Sequence, residues 1–292
     1  MIEVPAGFRA MPRWWHDGTD WLDVLPRLVA EQCDVWELRP DGGVRHGSNA
    51  LVVPVRRGAE RLALRMSPPG DDVAREAATL RFWDGRGTVR LVEADPERRA
   101  QLLEWIDPGT SLESVPLPDT PAIIAAVLRR LAVPAPPDVA CTGEVIATEA
   151  ESWSQRWSAL GAPGPARLLA SALAAAGDVH DPVTTGLAVN ADLHFGQILQ
   201  ARREPWLVVD PVLLRGDIDY DLARLLWSRL DEHPDDRAVR DYLAAVVEAA
   251  ELDLERAERL VVVRAMSYLL WGLEHGLTED PPRCLRLLTI FS

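Results

Sequence analysis

Alternating apolar and polar residues in the first third of the chain predict a series of short strands. The predicted strands cover residues 35–39, 50–55, 61–66, 89–92 and 101–105. Between the third and fourth strands, residues 67–70 read Ser-Pro-Pro-Gly and break the pattern. A helix is predicted over residues 73–83, because Asp71 and Asp72 stand at its start and glycines follow its end. This part is therefore predicted to be a twisted antiparallel sheet with one inserted helix.

Beyond Trp105 the apolar residues recur at helical spacing instead. The predicted helices cover residues 122–131, 166–176, 220–230, 235–250 and 254–273. We expect the last two to form an antiparallel pair because they are close in sequence. The chain is thus predicted to be an α+β protein with a small β-rich N-terminal lobe, residues 1–105, and a larger mostly helical C-terminal lobe, residues 106–292.

The composition is that of a globular protein, with 292 residues of which 48% are hydrophobic and 26% charged. No long apolar stretch is free of charge, and no basic patch with an apolar run stands at the start, so neither a membrane span nor a secretory signal is predicted. The three cysteines are far apart and odd in number, which argues against disulfides. These features predict a cytoplasmic protein.

The chain carries a net charge of −14, which argues against a nucleic-acid partner. Two interpretations of this charge stay open: attraction of a cationic ligand, or solubility alone. All 31 basic residues are arginine, because the sequence contains no lysine.

The segment 190–199, Asn-Ala-Asp-Leu-His-Phe-Gly-Gln-Ile-Leu, carries the clearest chemical signal. An acid, Asp192, is followed five positions later by the amide of Gln197, and two strands that suggest a hairpin lead on to Asp210. Phosphoryl transfer needs such a set: one carboxylate for the attacking hydroxyl, and an amide oxygen with a second carboxylate for Mg²⁺. Asp192 and Asp210 could instead be turn-forming residues only.

A histidine two residues after the acid resembles the signature of aminoglycoside phosphotransferases, and the chain is most similar to their streptomycin 6-kinase and hydroxyurea-kinase branch. The similar segments are 36–45, 80–91, 102–112, 203–211, 216–217, 220–222 and 270–276, and the resemblance covers residues 17–278. It implies a bilobal protein-kinase-like fold and an ATP- or GTP-binding, magnesium-dependent transferase. Such a kinase is an O-phosphotransferase for a hydroxyl of an aminoglycoside, an aminocyclitol or a similar small, cationic molecule, in antibiotic resistance or in biosynthesis.

The resemblance also implies roles for individual residues. Asp192 is expected to act as catalytic base, His194 to orient the catalytic loop, and Gln197 with Asp210 to hold Mg²⁺. The residues expected to bind the nucleotide are Arg65 paired with Glu76, Gly43 and Ser48 in the turn 42–48, and Glu104 with Trp105 at the hinge. The residues expected to contact the acceptor are Asp217, Asp221, Trp227, Trp271 and Glu274. Asp221 is about as well explained as a helix cap, and the two tryptophans as core residues.

Three features, which involve four residues, depart from the family pattern. Arg65 stands where a lysine is usual, Gln197 replaces an asparagine, and Asn190-Ala191 replaces His-Gly. Arginine is planar and bulkier than lysine, and the extra methylene of glutamine displaces a potential Mg²⁺ ligand. A catalytically impaired pseudokinase that binds a nucleotide, a metabolite or a partner protein is therefore the alternative to an active enzyme.

Overall fold

A computed structural model describes residues 2–11, 13–47, 49–107, 109–179 and 186–292. Contacts between Cα atoms divide the chain into two units, Met1–Asp107 and Pro108–Ser292. This division falls two residues after the boundary expected from the sequence.

In its described residues, the first unit contains one antiparallel sheet and four helices. Its strands are β1 (Arg39–Pro40), β2 (Arg45–His46), β3 (Leu51–Arg57), β4 (Glu60–Met66), β5 (Leu91–Asp95) and β6 (Ala100–Glu104). They lie in the order β1-β3-β4-β6-β5, with β2 also paired to β3. The helices are α1 (Ala6–Arg9), α2 (Trp14–Asp17), α3 (Asp20–Val35) and α4 (Val73–Trp83). The sheet and its inserted helix α4 confirm the prediction from the sequence.

Side-chain alternation along the strands gives this sheet two different faces. Leu62, Leu64 and Met66 of β4 belong to a buried apolar cluster that also contains Leu22 and Leu25 of α3. Arg65 lies between two of these residues and therefore points to the opposite face, where it meets Glu76 of α4. The alternation thus places a charged side chain beside a helix without disturbing the apolar core.

Helix α3 was not predicted, and the strand predicted over residues 35–39 is wrong because α3 extends to Val35. Pro26 lies inside this helix and removes one backbone N–H donor. The carbonyl of Leu22, four residues earlier, instead accepts a hydrogen bond from Nη2 of Arg9 at 3.3 Å. A tertiary contact therefore compensates for a residue that ordinarily argues against a helix.

Helix α4 covers the residues that the sequence predicted, Val73–Trp83. The Asp72 carboxylate caps its first turn by accepting a hydrogen bond from the Arg75 N–H at 3.0 Å. Asp84 ends it in the left-handed conformation, with φ of 45°. The glycines that were expected to end this helix follow directly.

The second unit is mostly helical. Its helices are α5 (Pro121–Leu131), α6 (Thr142–Ala159), α7 (Ala166–Val179), α8 (Leu222–Ser228), α9 (Asp236–Ala250), α10 (Leu254–Glu274) and α11 (Asp280–Phe291). Its strands are β7 (Leu187–Asn190), β8 (Ile198–Gln200), β9 (Trp206–Val208) and β10 (Leu213–Gly216). Short 3-10 helices cover Leu112–Ser114, Leu117–Asp119, Phe195–Gln197, Ile218–Asp221 and Leu230–Glu232. The sequence did not predict α6 or α11.

Helix α10 is the central helix of this unit. The consecutive residues Val261, Val262 and Val263 are all buried, so that apolar contacts surround the helix. It packs chiefly against α7, α8 and α11, whereas α9 packs chiefly against α5. The predicted antiparallel pair of α9 and α10 is therefore wrong as the main packing arrangement, because neighbours in sequence are not the principal neighbours in space.

Among the described residues of this unit, two small antiparallel sheets of two strands each lie among the helices. Strands β8 and β9 pair as the sequence predicted. Strands β7 and β10 pair with Asn190 opposite Leu213. Together they lead into and out of the segment that carries Asp192. Within the described ranges, no helix is both long and apolar enough to cross a membrane.

Gly216 provides a test of the packing where β10 meets the start of α6. A Cβ atom at this position would lie 2.2 Å from Oγ1 of Thr142, too close for any real contact. We expect Gly216→Ala to lower the free energy of unfolding by about 1–3 kcal/mol, measured in urea.

Gly177 in α7 is the matched control, because a Cβ there would meet nothing within 4 Å. Gly177→Ala should leave stability unchanged or raise it by about 0.5–1 kcal/mol, since alanine restricts the unfolded chain. Equal effects of the two substitutions would contradict the close packing at Gly216.

Candidate active site

The loop after β7 carries Asp192, and Asn190 fixes the course of its backbone. The Asn190 side chain is buried, and its Oδ1 accepts hydrogen bonds from the N–H of Val212 at 2.9 Å and of Asp192 at 3.4 Å. The N–H of Ala191 donates to the Val212 carbonyl at 2.9 Å. The loop is thereby fastened to the residue that precedes β10.

Asp221, directly before α8, lies buried beside the same loop. Burial raises its pKa well above the ordinary value, while the Arg264 guanidinium and the backbone N–H groups of Leu193 and Asn190 act in the opposite direction. With 3% of its surface exposed, Asp221 presents almost nothing to a ligand. Its role as an acceptor contact stays a prediction that this burial does not support.

Arg264 of α10 supports the loop by donating to one of the loop's backbone carbonyl groups. Its Nη2 donates to the Ala191 carbonyl at 3.0 Å, and its Nη1 donates to the Tyr220 hydroxyl at 2.9 Å. The same guanidinium lies over the Tyr220 ring, 4.3 Å from its centroid. The loop carrying Asp192 is thus bound through both its donors and its acceptors, and the sequence analysis missed Arg264 entirely.

The Asp192 carboxylate is held at both oxygens. Oδ1 lies 2.6 Å from Nη1 of Arg224, a residue of α8, and Oδ2 accepts a hydrogen bond from Nε2 of Gln197 at 3.2 Å. Burial raises the pKa of Asp192, and the Arg224 guanidinium acts in the opposite direction. The carboxylate therefore has a fixed orientation within a partly desolvated pocket.

Gln197 ends a short 3-10 helix and comes close to the backbone at Asp210. The Val209 N–H donates to the Gln197 carbonyl at 2.9 Å, and Nε2 of Gln197 lies 3.5 Å from the Asp210 carbonyl. Asp210 is exposed and adopts a left-handed conformation with φ of 54°. The β8–β9 hairpin thus brings these two residues close to each other.

The donor chemistry of these residues fits Mg²⁺. Oε1 of Gln197 is buried and has no hydrogen-bond partner among the described residues, which leaves one hard oxygen for a ligand. Among the same residues, no group of three or more His, Cys, Asp or Glu side chains could hold a metal ion. An amide and a carboxylate form the small protein ligand set that Mg²⁺ takes when phosphates and water supply the remaining ligands.

His194 turns its ring towards the loop backbone. Its Nδ1 accepts a hydrogen bond from the Gly196 N–H at 3.2 Å, so this nitrogen carries no proton. Burial lowers the pKa of His194 to about 4, with the Arg224 charge acting in the same direction. A neutral ring held in this way supports the expected role in orienting the loop.

In the first unit, Arg65 and Glu76 form the expected ion pair. Nη1 of Arg65 lies 2.6 Å from Oε2 of Glu76, and it also donates to Oγ of Ser67 at 2.6 Å. Nε2 of Gln101 donates to the same Glu76 oxygen at 3.2 Å. The sequence analysis missed Ser67 and Gln101, although both are polar residues among buried apolar neighbours, Ser67 two positions after Arg65.

The other expected nucleotide contacts are placed as follows. Gly43 is exposed in the segment between β1 and β2, and Ser48 lies outside the described residues. The backbone N–H of Glu104 donates to the Arg90 carbonyl at 2.9 Å, and its carboxylate accepts from the Arg90 N–H at 3.2 Å. The Trp105 ring lies against the Arg61 guanidinium, 4.1 Å from it.

The residues expected to contact an acceptor differ widely in exposure. Trp227 is 2% exposed and stacks on Tyr268 at 4.7 Å, which favours a core residue over its predicted role as an acceptor contact. Trp271 is 42% exposed. Asp217 pairs with Arg256 at 2.6 Å, and Glu274 with Arg156 at 2.7 Å. Trp271, Asp217 and Glu274 remain candidates for an acceptor site.

A sheet-rich N-terminal unit with an Arg–Glu pair, followed by a helical unit with this loop, defines a phosphotransferase of the kinase-like fold. Solved structures confirm the fold. The aminoglycoside phosphotransferase APH(4)-Ia matches with a TM-score of 0.65 at 14% identity, over 91% of this chain and 99% of that one. The choline kinase LicA from Streptococcus pneumoniae matches with a TM-score of 0.67 at 12% identity, over 91% and 98%.

The chain belongs to the aminoglycoside/hydroxyurea antibiotic resistance kinase family, whose pattern matches residues 35–276. It is 38% identical to a streptomycin 6-kinase of Streptomyces griseus, over 91% of this chain and 89% of that protein. It is 36% identical to a hydroxyurea phosphotransferase of Kitasatospora aureofaciens, over 97% and 84%. These findings confirm the resemblance and identify a small-molecule kinase, and none of them favours the pseudokinase alternative.

Proposed function

We propose that this chain transfers the γ-phosphoryl group of ATP to a hydroxyl group of an aminoglycoside, with streptomycin as the first acceptor to test. The observation that carries the proposal is the Asp192–Gln197 pair near Asp210, in a chain 38% identical to a streptomycin 6-kinase. A variant of APH(4)-Ia is known in ternary complex with ADP and hygromycin B, which supports ATP as the donor.

In this proposal Asp192 receives the proton from the hydroxyl group that is phosphorylated. Its carboxylate binds the hydroxyl group, orients the oxygen towards the phosphorus atom and takes the proton as the new P–O bond forms. The raised pKa of Asp192 suits this task, since a more basic carboxylate holds a proton more readily. His194 and Asn190 keep the loop in the conformation that presents this carboxylate.

Gln197 and Asp210 would hold Mg²⁺ through the amide oxygen and the carboxylate. When bound, the ion neutralises charge on the nucleotide phosphates. The unpartnered Oε1 of Gln197 supports this role, because a buried amide oxygen without a partner is costly unless a ligand satisfies it. The replacement of asparagine by glutamine thus keeps the oxygen donor.

Arg65 is proposed to bind the nucleotide phosphates, with Glu76, Ser67 and Gln101 fixing its guanidinium. Arginine keeps the positive charge of the usual lysine and offers several donors in a rigid plane. Nη1 of Arg65 already makes two contacts, at 2.6 Å to Oε2 of Glu76 and at 2.6 Å to Oγ of Ser67. Gly43, Ser48, Glu104 and Trp105 remain proposed nucleotide contacts.

A cationic acceptor is the second part of the proposal. The net charge of −14 attracts cations and repels nucleic acid. Asp217, Glu274 and Trp271 are the proposed acceptor contacts, since each has some exposed surface. A cytoplasmic location, where ATP is available, belongs to the same proposal.

The test is release of ADP by the purified chain with ATP, Mg²⁺ and streptomycin, with hydroxyurea and hygromycin B as comparison acceptors. We expect streptomycin-dependent turnover and a phosphorylated product by mass spectrometry. Asp192→Asn should lower kcat by about 100- to 10,000-fold, because the hydroxyl loses its proton acceptor.

Asp231→Asn is the control, since Asp231 is an exposed carboxylate that also pairs with one arginine, at 2.7 Å. It should keep the kcat of the unmodified chain. Full activity of Asp192→Asn, or absence of turnover with all three acceptors, would contradict the proposed function.

Arg65 gives a separate prediction about nucleotide affinity. Arg65→Gln removes the charge and should weaken ATP binding at least about ten-fold, whereas Arg65→Lys keeps the charge and should weaken it less. Calorimetric titration with ATP and Mg²⁺ measures both. Equal affinities for Arg65→Gln and the unmodified chain would exclude a phosphate contact.

A further inference from the structure

We propose that Arg224 is a positioning residue for phosphoryl transfer, which fixes the plane of the Asp192 carboxylate against the acceptor hydroxyl. This inference rests on the proposed function, because it assigns a partner to the residue that receives the proton. It adds a residue that the sequence analysis did not select.

The two oxygens of the Asp192 carboxylate contact different partners. Arg224 lies at 2.6 Å from Oδ1, and Gln197 donates to Oδ2 at 3.2 Å. The terminal torsion of an aspartate side chain is broad and has no sharp staggered minima, so one contact alone leaves the carboxylate free to turn. Two contacts on different oxygens remove that rotation.

The remaining lone pairs leave room for the acceptor. An ionised carboxylate offers about four acceptor positions, of which the two partners use one each. The Asp192 side chain keeps 34% of its surface exposed, so the hydroxyl group of an acceptor can still reach it. The ion pair with Arg224 therefore orients the carboxylate without covering it.

Arg224 is itself held in place by aromatic side chains of α8 and α10. Its guanidinium lies 5.5 Å from the centroid of the Tyr268 ring. Tyr268 stacks on buried Trp227 at 4.7 Å. This support restricts the rotamers of a long side chain that is otherwise flexible.

The start of helix α8 lies close to the same loop. The short 3-10 helix Ile218–Asp221, which leads into α8, packs against β7, and Arg224 of α8 binds the carboxylate that the loop presents. The Asp192 side chain is therefore held from an element that also packs against the strand before its loop.

A purely structural ion pair would have different consequences. A partly exposed pair contributes about 0–1 kcal/mol to stability and nothing to the rate of turnover. A positioning contact acts on kcat, because a displacement of about 1 Å of a catalytic group can lower the rate about 100-fold. The two roles are therefore separable by kinetics.

The experiment compares Arg224→Gln, Arg224→Lys and the control Arg286→Gln, which removes another partly exposed arginine paired with one aspartate at 3.0 Å. We expect Arg224→Gln to lower kcat about 10- to 100-fold with the ATP dissociation constant and the Tm close to those of the unmodified chain. Arg224→Lys should recover part of the loss, because lysine keeps a charged donor. Arg286→Gln should keep full kcat.

Two results would overturn the proposal. One is a kcat of Arg224→Gln within two-fold of the unmodified chain, which leaves only a structural ion pair. The other is a higher kcat in Arg224→Gln, which identifies Arg224 as a competitor of the acceptor. The crystal structure of Arg224→Gln gives a reading that does not depend on turnover: a turned or disordered Asp192 carboxylate is expected, and an unchanged one rejects the proposal even if the proposed acceptors fail.

Discussion

The contacts of Asn190 and Arg264 with the backbone are those on which the candidate site depends. The buried Asn190 side chain accepts hydrogen bonds from the N–H groups of Asp192 and Val212, and Arg264 donates to the Ala191 carbonyl. A loop that turns inside a protein must satisfy its backbone groups without a regular ladder, and each buried donor left without a partner costs about 1–3 kcal/mol. Asn190 supplies an acceptor for a loop N–H, while Arg264 supplies a donor for a loop carbonyl. Strand β7 and helix α10 therefore determine where the Asp192 carboxylate stands.

The Arg65–Glu76 pair illustrates how the first unit accommodates a charge inside a sheet. Strand alternation keeps Leu64 and Met66 in the apolar core while Arg65 faces the helix. A buried guanidinium needs several partners, and Glu76 and Ser67 provide them at 2.6 Å each. Gln101 in turn binds Glu76, which holds the acid in place. The arginine thus has partners suited to its own shape, rather than occupying a position built for lysine.

The departures at Arg65 and Gln197 acquire a physical interpretation from these contacts. The longer side chain of Gln197 reaches Asp192 with its amide nitrogen and leaves its amide oxygen buried without a partner among the described residues. The amide nitrogen of Gln197 can therefore orient the Asp192 carboxylate, while its amide oxygen is available to bind a cation. The chain belongs to a family of kinases, and both replacements keep the kind of chemical group while changing the length or shape of the side chain.

The sequence by itself determined the features that depend on local pattern. Helix α4, the β8–β9 hairpin and the order of Asp192, Gln197 and Asp210 could all be predicted, because caps, alternation and motif spacing act within a few residues or one strand connection. The Arg65–Glu76 pair was implied instead by the family resemblance. Tertiary structure alone decided that α3 forms around Pro26, that α9 packs on α5, that Trp227 is in the core and that Arg224 and Arg264 reach the loop. These depend on contacts between residues distant in sequence, whose side chains carry no local sign of the partner they will meet.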